Sequence, residues 1–162
     1  MQPSVLLPLL ILVVVANGAP VAAKRLLGRR FAAPLDGGMR FVDRRPLLGG
    51  SKTVRGLAAA VLASAAAAPL VGFDWTLGLA VGAAAMAGDL LSSFVKRRLG
   101  LPSSATATGL DQIPESLLPL LVVGGPLALS GWDVALGVTA FLAGDLMLSP
   151  LLRRLGMRDR HH

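Results

Sequence analysis

The sequence has no cysteine and no tyrosine, and its only histidines are the last two residues, His161 and His162. Disulfide bonds and thiolate chemistry are therefore excluded. No Ser-His-Asp arrangement can be built from terminal histidines. An enzyme made from this chain would have to work without histidine, cysteine or tyrosine as its acid or base.

Charged residues are also scarce. They make up 15% of the 162 residues, while 54% are apolar, and soluble domains carry about 25% charged residues. We predict an all-α integral membrane protein with one transmembrane domain over residues 1–162. Its apolar runs are long enough for five spans, at 4–23, 54–71, 75–95, 113–130 and 134–152. The fourth run contains Pro119 and Gly124-Gly125-Pro126, which predicts a break or kink.

The positive charges predict the orientation of these spans. All 16 lysines and arginines fall in three segments, 24–55, 96–98 and 153–160, which five crossings place on one side of the membrane. The positive-inside rule puts that side in the cytoplasm, with cytoplasmic loops at 24–53 and 96–112 and the N-terminus outside. The net charge of +7 is then a feature of topology, and we expect no nucleic-acid partner.

One polar stretch interrupts the third span. Asp89, Ser92, Ser93 and Lys96 lie at i, i+3, i+4 and i+7, so they share one helix face. An aspartate at the centre of a membrane helix costs about 2.5–3.5 kcal/mol. A cation, a water-filled cavity or a metal ion must compensate it, and the residues alone leave these alternatives open.

A second copy of this stretch follows 56 residues later. Nine of the 14 residues in 143–156 match those in 87–100, including Ala-Gly-Asp-Leu and Arg-Arg-Leu-Gly. We predict a parallel duplicated helical hairpin, with the second and third spans repeated as the fourth and fifth. The copy lacks counterparts of Ser92 and Lys96, so Asp145 is expected to be a decayed duplicate of Asp89.

Acidic and basic residues are expected to gather at the cytoplasmic mouth. The acids are Asp36, Asp43, Asp89 and Asp111, with Asp145 as a fifth candidate. Carboxylates beside lysines and arginines suit a divalent metal ion that holds phosphates. The plainer alternatives are structural ion pairs for the acids and contacts with anionic lipid headgroups for the loop cations.

The segment from Gly49 to Thr53, Gly-Gly-Ser-Lys-Thr, is not a phosphate-loop motif because serine precedes the lysine. What remains is metal-assisted transfer at phosphorus. A phosphate nucleophile is already ionised at neutral pH and needs no general base.

At these residues the sequence resembles the CDP-archaeol synthase family, within the broader CTP-dependent phosphatidate cytidylyltransferases. The resemblance rests on short motifs in family order: Ala16-Asn17-x-x-Pro20-Val21, Pro34-Leu35-Asp36-x-Gly38, Asp43-Arg44-Arg45, Gly49-x-x-Lys52-Thr53-x-Arg55-Gly56, Gly88-Asp89-Leu90-x-x-Ser93-Phe94-x-Lys96-Arg97-Arg98 and Asp111-Gln112-Ile113-Pro114. It implies a membrane enzyme that uses Mg²⁺ to condense CTP with a lipid phosphate, releasing pyrophosphate and a CDP-lipid. An ether isoprenoid lipid and a diacyl lipid both remain open.

The resemblance also implies roles for single residues. Asp89 and Asp111 would bind the metal ion, and Lys52 and Lys96 would join Asp89 as catalytic residues. The residues implied in nucleotide binding are Asn17, Asp43, Lys52, Thr53, Ser93, Lys96 and Arg97. The expected partners are CTP, a lipid phosphate and membrane lipids, with a homodimer left open. The alternative function is a small transporter or a non-catalytic helix-packing subunit.

Overall fold

The computed structural model describes residues 2–103, 105 and 107–154, and these form helices and loops with two isolated β-bridges. Arg158, Arg160 and the end of the second sequence copy lie outside the described residues. The helices are α1 (Pro3–Leu27), α2 (Val54–Ala67), α3 (Trp75–Arg98), α4 (Gln112–Gly124) and α5 (Gly131–Arg154), and a 3₁₀ turn, Ala68–Val71, extends α2. The predicted all-helical class is thus confirmed for the described residues.

Several helix ends differ from the predicted spans, and among them α3 continues to Arg98, three residues past the predicted end at 95. Helix α1 continues through Pro20 to Leu27, four residues past the predicted end of the span. Helix α4 ends at Gly124, because Gly125 and Pro126 lead into a turn, so the predicted break of the fourth span is confirmed. Among the described residues, α1, Val54–Val71 and α3 are long and apolar enough to cross a membrane.

Side chains fix the start of three helices. The hydroxyl of Thr53 accepts the Gly56 N–H at the start of α2, and the carboxylate of Asp74 accepts the Thr76 N–H at the start of α3. Before α5, Ser130 and Asp133 exchange backbone-to-side-chain hydrogen bonds, as in a capping box. The capping box starts α5 at Gly131, three residues before the predicted span of 134–152.

Helix α3 is the centre of the bundle. It packs against α1, α2 and α4, while α5 packs mainly on α4. The buried apolar core includes Leu9, Leu12, Val81 and Leu120. The predicted face of α3 is confirmed by burial, because Ser92, Ser93 and Lys96 are all buried.

Small residues let the helices approach closely. A Cβ at Gly78 would lie 2.7 Å from the Ala68 Cβ, and one at Gly82 would lie 2.9 Å from the Val61 Cα, both in the preceding hairpin arm. The small residues of α2 at 60 and 64 are buried against these glycines, while a Cβ at Gly56 would lie 3.4 Å from the Pro20 Cβ of α1. This is the close packing that small residues at four-residue spacing permit.

The third close approach places α4 against the middle of α3. A Cβ at Gly88 would overlap the Pro114 carbonyl and lie 2.7 Å from the Glu115 nitrogen. Gly88 lies ten residues before the end of α3 at Arg98, which is about 15 Å of helix. The first turn of α4 is therefore recessed below the basic end of the bundle, and the chain between α3 and α4 folds back into it.

The basic residues lie at one end of this bundle. They occupy the end of α1, the loop to α2, and the end of α3 at 96–98. The opposite end carries the turns at 68–74 and 125–130, where Gln2 N–H donates to Asp133. We call the end that carries the lysines and arginines the basic end.

Replacing Gly88 by alanine should disrupt the contact between α3 and α4. The added Cβ meets backbone atoms, which cannot move without displacing α4. We expect a clear fall in the thermal unfolding midpoint of the detergent-purified protein, although alanine favours a helix over glycine by about 1 kcal/mol.

Gly144 is the matched control, since it occupies the same position in the second Ala-Gly-Asp-Leu copy. A Cβ there has nothing within 4 Å, so Gly144→Ala should leave the midpoint unchanged or raise it. Equal effects of the two substitutions would contradict the close contact at Gly88.

Candidate active site

The recessed start of α4 faces a cluster of charged side chains that we call the polar recess: Lys52, Asp89, Lys96, Asp111 and Glu115. At its centre the Lys52 Nζ lies 2.6 Å from both carboxylate oxygens of Asp89. These side chains are 19% and 17% exposed, so the pair is largely shielded and still reachable. The cation that compensates the membrane aspartate is therefore a lysine.

Lys52 is held in place by its own backbone. The Leu35 N–H donates to the Lys52 carbonyl at 2.8 Å, and the Lys52 N–H donates to Gly49 at 3.2 Å. The next residue, Thr53, caps α2. A loop residue thus acquires the fixed direction needed to reach into the bundle.

A second ion pair lies nearer the basic end. The Lys96 Nζ lies 2.7 Å from the Asp111 Oδ1 and donates to the Ala105 carbonyl at 3.1 Å. The other oxygen of Asp111 accepts the Ala107 N–H at 2.9 Å. Lys96 and Asp111 therefore join the end of α3 to the start of α4 and hold residues 105 and 107 between them.

Glu115 lies close to the two ion pairs. Its backbone nitrogen would lie 2.7 Å from a Cβ at Gly88, the residue before Asp89, and its carboxyl group lies within electrostatic reach of Asp89, Lys52 and Asp111. The polar recess thus contains three carboxyl groups and two ammonium groups.

Asp36, which we expected among the acids of the mouth, instead organises the first loop (residues 28–53). It is 4% exposed, and its oxygens accept N–H groups from Gly38, Leu48 and Gly49. Burial raises the pKa of this carboxyl, but the three backbone N–H groups outweigh burial and lower its pKa below the usual range.

Arg98 fastens the first loop to the end of α3. It pairs with Asp43 at 2.6 Å, donates to the Pro46 carbonyl at 2.5 Å, and lies over the rings of Phe41 and Phe94. Asp43 therefore secures the loop, and its side chain is 39% exposed outside the polar recess.

Arg97 lies between the first loop and the segment that joins α3 to α4. It is 4% exposed, and its Nε and Nη2 have no hydrogen-bond partner among the described residues. It lines a cavity of about 370 Å³ together with Arg45, Pro46 and the residues from Gly100 to Ser103. A buried guanidinium with free donors at a cavity is suited to bind an anion.

The remaining predicted nucleotide residues have local partners or lie near the site without a defined contact. The Asn17 amide donates to the Val13 carbonyl of its own helix, and the Thr53 hydroxyl caps α2. Ser93 is 2% exposed on the α3 face next to Lys96. The structure thus brings together Lys52, Asp89, Lys96 and Asp111, while Asn17, Asp43 and Thr53 make structural contacts.

The second sequence copy has different surroundings. Asp145 accepts the Gln112 amide at 2.7 Å, and Asp89 pairs with Lys52. The duplication itself stays a prediction.

Glu115 is the site residue that the sequence analysis missed. It follows Asp111 by four residues, which is the spacing of one helix face, so the signal was present. The apolar run starting at Ile113 concealed it, because Glu115 was counted as part of a membrane span.

Comparisons with known proteins all indicate the same family. Residues 5–160 match the family model described as CarS-like, CDP-archaeol synthase. The CDP-archaeol synthase of Hyperthermus butylicus is 42% identical over 121 residues, covering 67% of each chain. That of Thermofilum pendens is 32% identical over 146 residues, covering 87% of this chain and 68% of the relative.

A solved structure has the same fold. It is described as an intramembrane enzyme for archaeal membrane lipids biosynthesis, and it superposes with a TM-score of 0.75 at 32% identity. The superposition covers 88% of this chain and 90% of the other.

Replacing Lys52 by methionine should destabilise the protein, because Asp89 would remain largely buried without its cation. Breaking a buried ion pair costs about 3–5 kcal/mol, and we expect about 3 because both groups keep some exposure. Adding Asp89→Asn should recover most of the loss, as measured by thermal unfolding in detergent. Lys24→Met, at an exposed lysine, is the control, and a double variant no better than Lys52→Met would contradict the pairing.

Replacing Asp36 by asparagine should loosen the first loop. Hydrogen exchange at Leu48 and Gly49 should accelerate, while Asp43→Asn should leave both amides protected. Since the folded pKa of Asp36 is lowered, its stabilisation is complete at neutral pH. This stabilisation should be lost as the pH falls through the lowered pKa, which lies below the usual aspartate value of about 4. Undiminished protection in Asp36→Asn would contradict this role.

Proposed function

This chain belongs to the CDP-archaeol synthase family, and we propose that its polar recess carries out cytidylyl transfer from CTP to a lipid phosphate. The protein is a membrane cytidylyltransferase that forms a CDP-lipid. The observation that supports placing the reaction in the recess is the Lys52–Asp89 pair beside Glu115. The transporter alternative has no specific observation in its favour.

We infer that all five helices cross the membrane. Three helices qualify by length and composition. Helix α4 is shorter, and the turn after Gly124 would complete its crossing. Helix α5 has 24 residues, which is long enough to cross. The gathering of cations at the basic end favours a cytoplasmic site and an external N-terminus. The polar recess then opens toward cytoplasmic CTP, while its sides border the lipid.

The donor set of the recess fits a magnesium ion that is shared with a nucleotide. Carboxylate oxygens are the ligands that Mg²⁺ prefers, and the ion is usually held by one or two carboxylates plus substrate phosphates. Among the described residues, no group of three or more acidic, histidine or cysteine side chains forms a complete metal site. Asp89 and Asp111 would hold the ion together with the triphosphate. A bound ion would supply positive charge to phosphate oxygens.

The lysines are placed to receive the phosphates. Lys52 from the first loop and Lys96 from α3 each place an ammonium group on a carboxylate of the recess. Arg97 offers guanidinium donors without a hydrogen-bond partner among the described residues at the neighbouring cavity. When the triphosphate enters, these cations can exchange carboxylate partners for phosphate oxygens. Their charge would then offset the negative charge that develops on the leaving pyrophosphate.

The reaction requires no protein base. An oxygen of the lipid phosphate, already ionised at neutral pH, forms a bond to the α-phosphorus of CTP. The bond between that phosphorus and the oxygen bridging to the β-phosphate breaks, and pyrophosphate leaves with the electron pair. This chemistry is compatible with a chain whose histidines are terminal and which lacks cysteine and tyrosine.

We propose an archaeol-type ether lipid phosphate as the natural acceptor, because the relatives with assigned substrates are CDP-archaeol synthases. Purified protein given CTP and Mg²⁺ should turn over this lipid faster than diacyl phosphatidic acid. A preference for the diacyl lipid would contradict the acceptor and leave the cytidylyl transfer intact.

Asp89→Asn should reduce formation of labelled CDP-lipid from labelled CTP by about 100-fold or more, because the metal-binding charge is lost. The protein should remain folded, because the asparagine carbonyl oxygen can still accept a hydrogen bond from the Lys52 ammonium group, whose side chain is 19% exposed. Asp145→Asn, in the second copy, is the matched control and should remain active. Full activity of Asp89→Asn with a normal unfolding midpoint would rule out the proposed role.

A further inference from the structure

Gln112, in the first turn of α4, is held by hydrogen bonds at both ends of its amide group. Its Oε1 atom accepts the Gly109 N–H at 2.7 Å, and its Nε2 atom donates to the Oδ2 atom of Asp145, on α5, also at 2.7 Å. The Gly109 N–H needs an acceptor, which turns the amide oxygen toward it and the amide nitrogen toward Asp145. The side chain of Gln112 is buried, so water competes little for either bond.

The contact between Gln112 and Asp145 follows from the antiparallel packing of α4 on α5. Leu120 of α4 meets Gly137 of α5, where a Cβ would lie 2.8 Å from the Leu120 Cδ1 atom. Gln112 lies eight residues before Leu120, and Asp145 lies eight residues after Gly137. The same register therefore brings Gln112 and Asp145 together about 12 Å further along the two helices.

The Gly109 N–H is part of the turn that carries Asp111. In this turn the Asp111 N–H donates to the Ala107 carbonyl, and the Ile113 N–H donates to the Gly109 carbonyl, each at 3.0 Å. Asp111 also holds the turn with its own side chain, since its Oδ2 atom accepts the Ala107 N–H at 2.9 Å. The side chains that brace the turn are thus those of Asp111 and Gln112.

These two side chains differ in what they can do when the substrates bind. In the proposed reaction, Asp111 would give up the Ala107 N–H and the Lys96 ammonium group for a metal ion held with the triphosphate. The turn would then lose one of its braces. Gln112 bonds to Gly109 and Asp145, which the proposed reaction does not use, so this brace can persist throughout.

We propose that Asp145 is a positioning residue: through the Gln112 amide it fixes the turn that carries Asp111 while the Asp111 carboxylate is engaged with its ligands. This inference rests on the proposed function of the polar recess. It gives the second Ala-Gly-Asp-Leu segment a task of its own, because Asp145 acts on a backbone turn and Asp89 acts in the recess itself. Hydrogen-bonded supports of metal-binding residues commonly matter about 10- to 100-fold for metal affinity or activity.

The test compares substitutions of Asp145 that keep or remove its acceptor oxygen. Asp145→Asn keeps a side-chain oxygen for the Gln112 amide, whereas Asp145→Ala removes it without adding bulk. Thr139→Val, at an exposed threonine that donates to a carbonyl of its own helix, is the control for a change on α5. Two quantities are measured on each purified variant: hydrogen exchange at the Gly109 amide without substrates, and the rate of CDP-lipid formation as a function of Mg²⁺ concentration.

We expect Asp145→Ala to accelerate hydrogen exchange at Gly109 about fivefold, because the Gln112 amide is then able to turn away. The Mg²⁺ concentration that gives half the maximal rate should rise about 10-fold. Asp145→Asn and Thr139→Val should match the wild type in both measurements. A purely structural contact of α5 would lower the unfolding midpoint in Asp145→Ala and leave the Mg²⁺ dependence unchanged.

If Asp145→Ala unfolds early, an exchange of the two partners takes its place. Gln112→Glu sets two carboxylates against each other, and it should accelerate exchange at Gly109 and raise the Mg²⁺ requirement. Adding Asp145→Asn restores one donor and one acceptor across the contact, since the asparagine amide can donate to the new carboxylate. The double variant should therefore return most of the way to the wild type in both measurements.

Three results would overturn the inference. Unchanged exchange at Gly109 in Asp145→Ala would show that α5 does not fix the turn. Faster exchange with an unchanged Mg²⁺ dependence would show that the turn does not position Asp111, and asparagine as damaging as alanine would show that the acceptor oxygen is not what matters. Failure of the wild type to form any CDP-lipid would instead contradict the proposed function, and the exchange comparison would still test whether Asp145 holds the turn.

Discussion

A carboxylate placed within a membrane helix is the constraint on which the rest of this structure depends. Asp89 is compensated by Lys52, which comes from the loop before α2 and not from a neighbouring helix face. To reach Asp89, that loop must be ordered, and Asp36 and Arg98 order it through backbone hydrogen bonds and contacts to α3. The internal order of the first loop is thus linked to the burial of one charge.

Two features of the backbone make room for this arrangement. Gly88 lets α4 begin against the middle of α3, and the short length of α4 leaves its first turn below the basic end. A full-length fourth helix would fill this space. The polar recess therefore exists because α4 begins beside the middle of α3, below the basic end. Charged groups from α3, α4 and the first loop meet there, while the outer surfaces of the helices remain apolar.

The sequence predicted most of the helices and the polar face of α3, because hydrophobic periodicity and spacing report these features directly. The roles of Lys52 and Asp89, implied by the family resemblance, stay predictions. The sequence did not predict that Asp36 and Asp43 would secure the first loop. A sequence alone does not distinguish an aspartate that binds backbone N–H groups from one that lines an active site. Glu115 was missed because it lies in a largely apolar run of the sequence. Only the contact of its backbone nitrogen with Gly88 shows that α4 places it near Asp89. The end of α4 was predicted from Gly125 and Pro126, whereas the start of α5 depends on the capping interaction of Ser130, which hydrophobicity does not reveal.

We infer that the Lys52–Asp89 pair opens to receive a nucleotide, with the lysine moving to phosphate and the aspartate to the cation. A structure of the protein with Mg²⁺ and a non-reactive CTP analogue tests this most directly. We expect the Lys52 ammonium on a phosphate oxygen and Asp89 on the cation. An unchanged Lys52–Asp89 pair with the triphosphate bound elsewhere would contradict it.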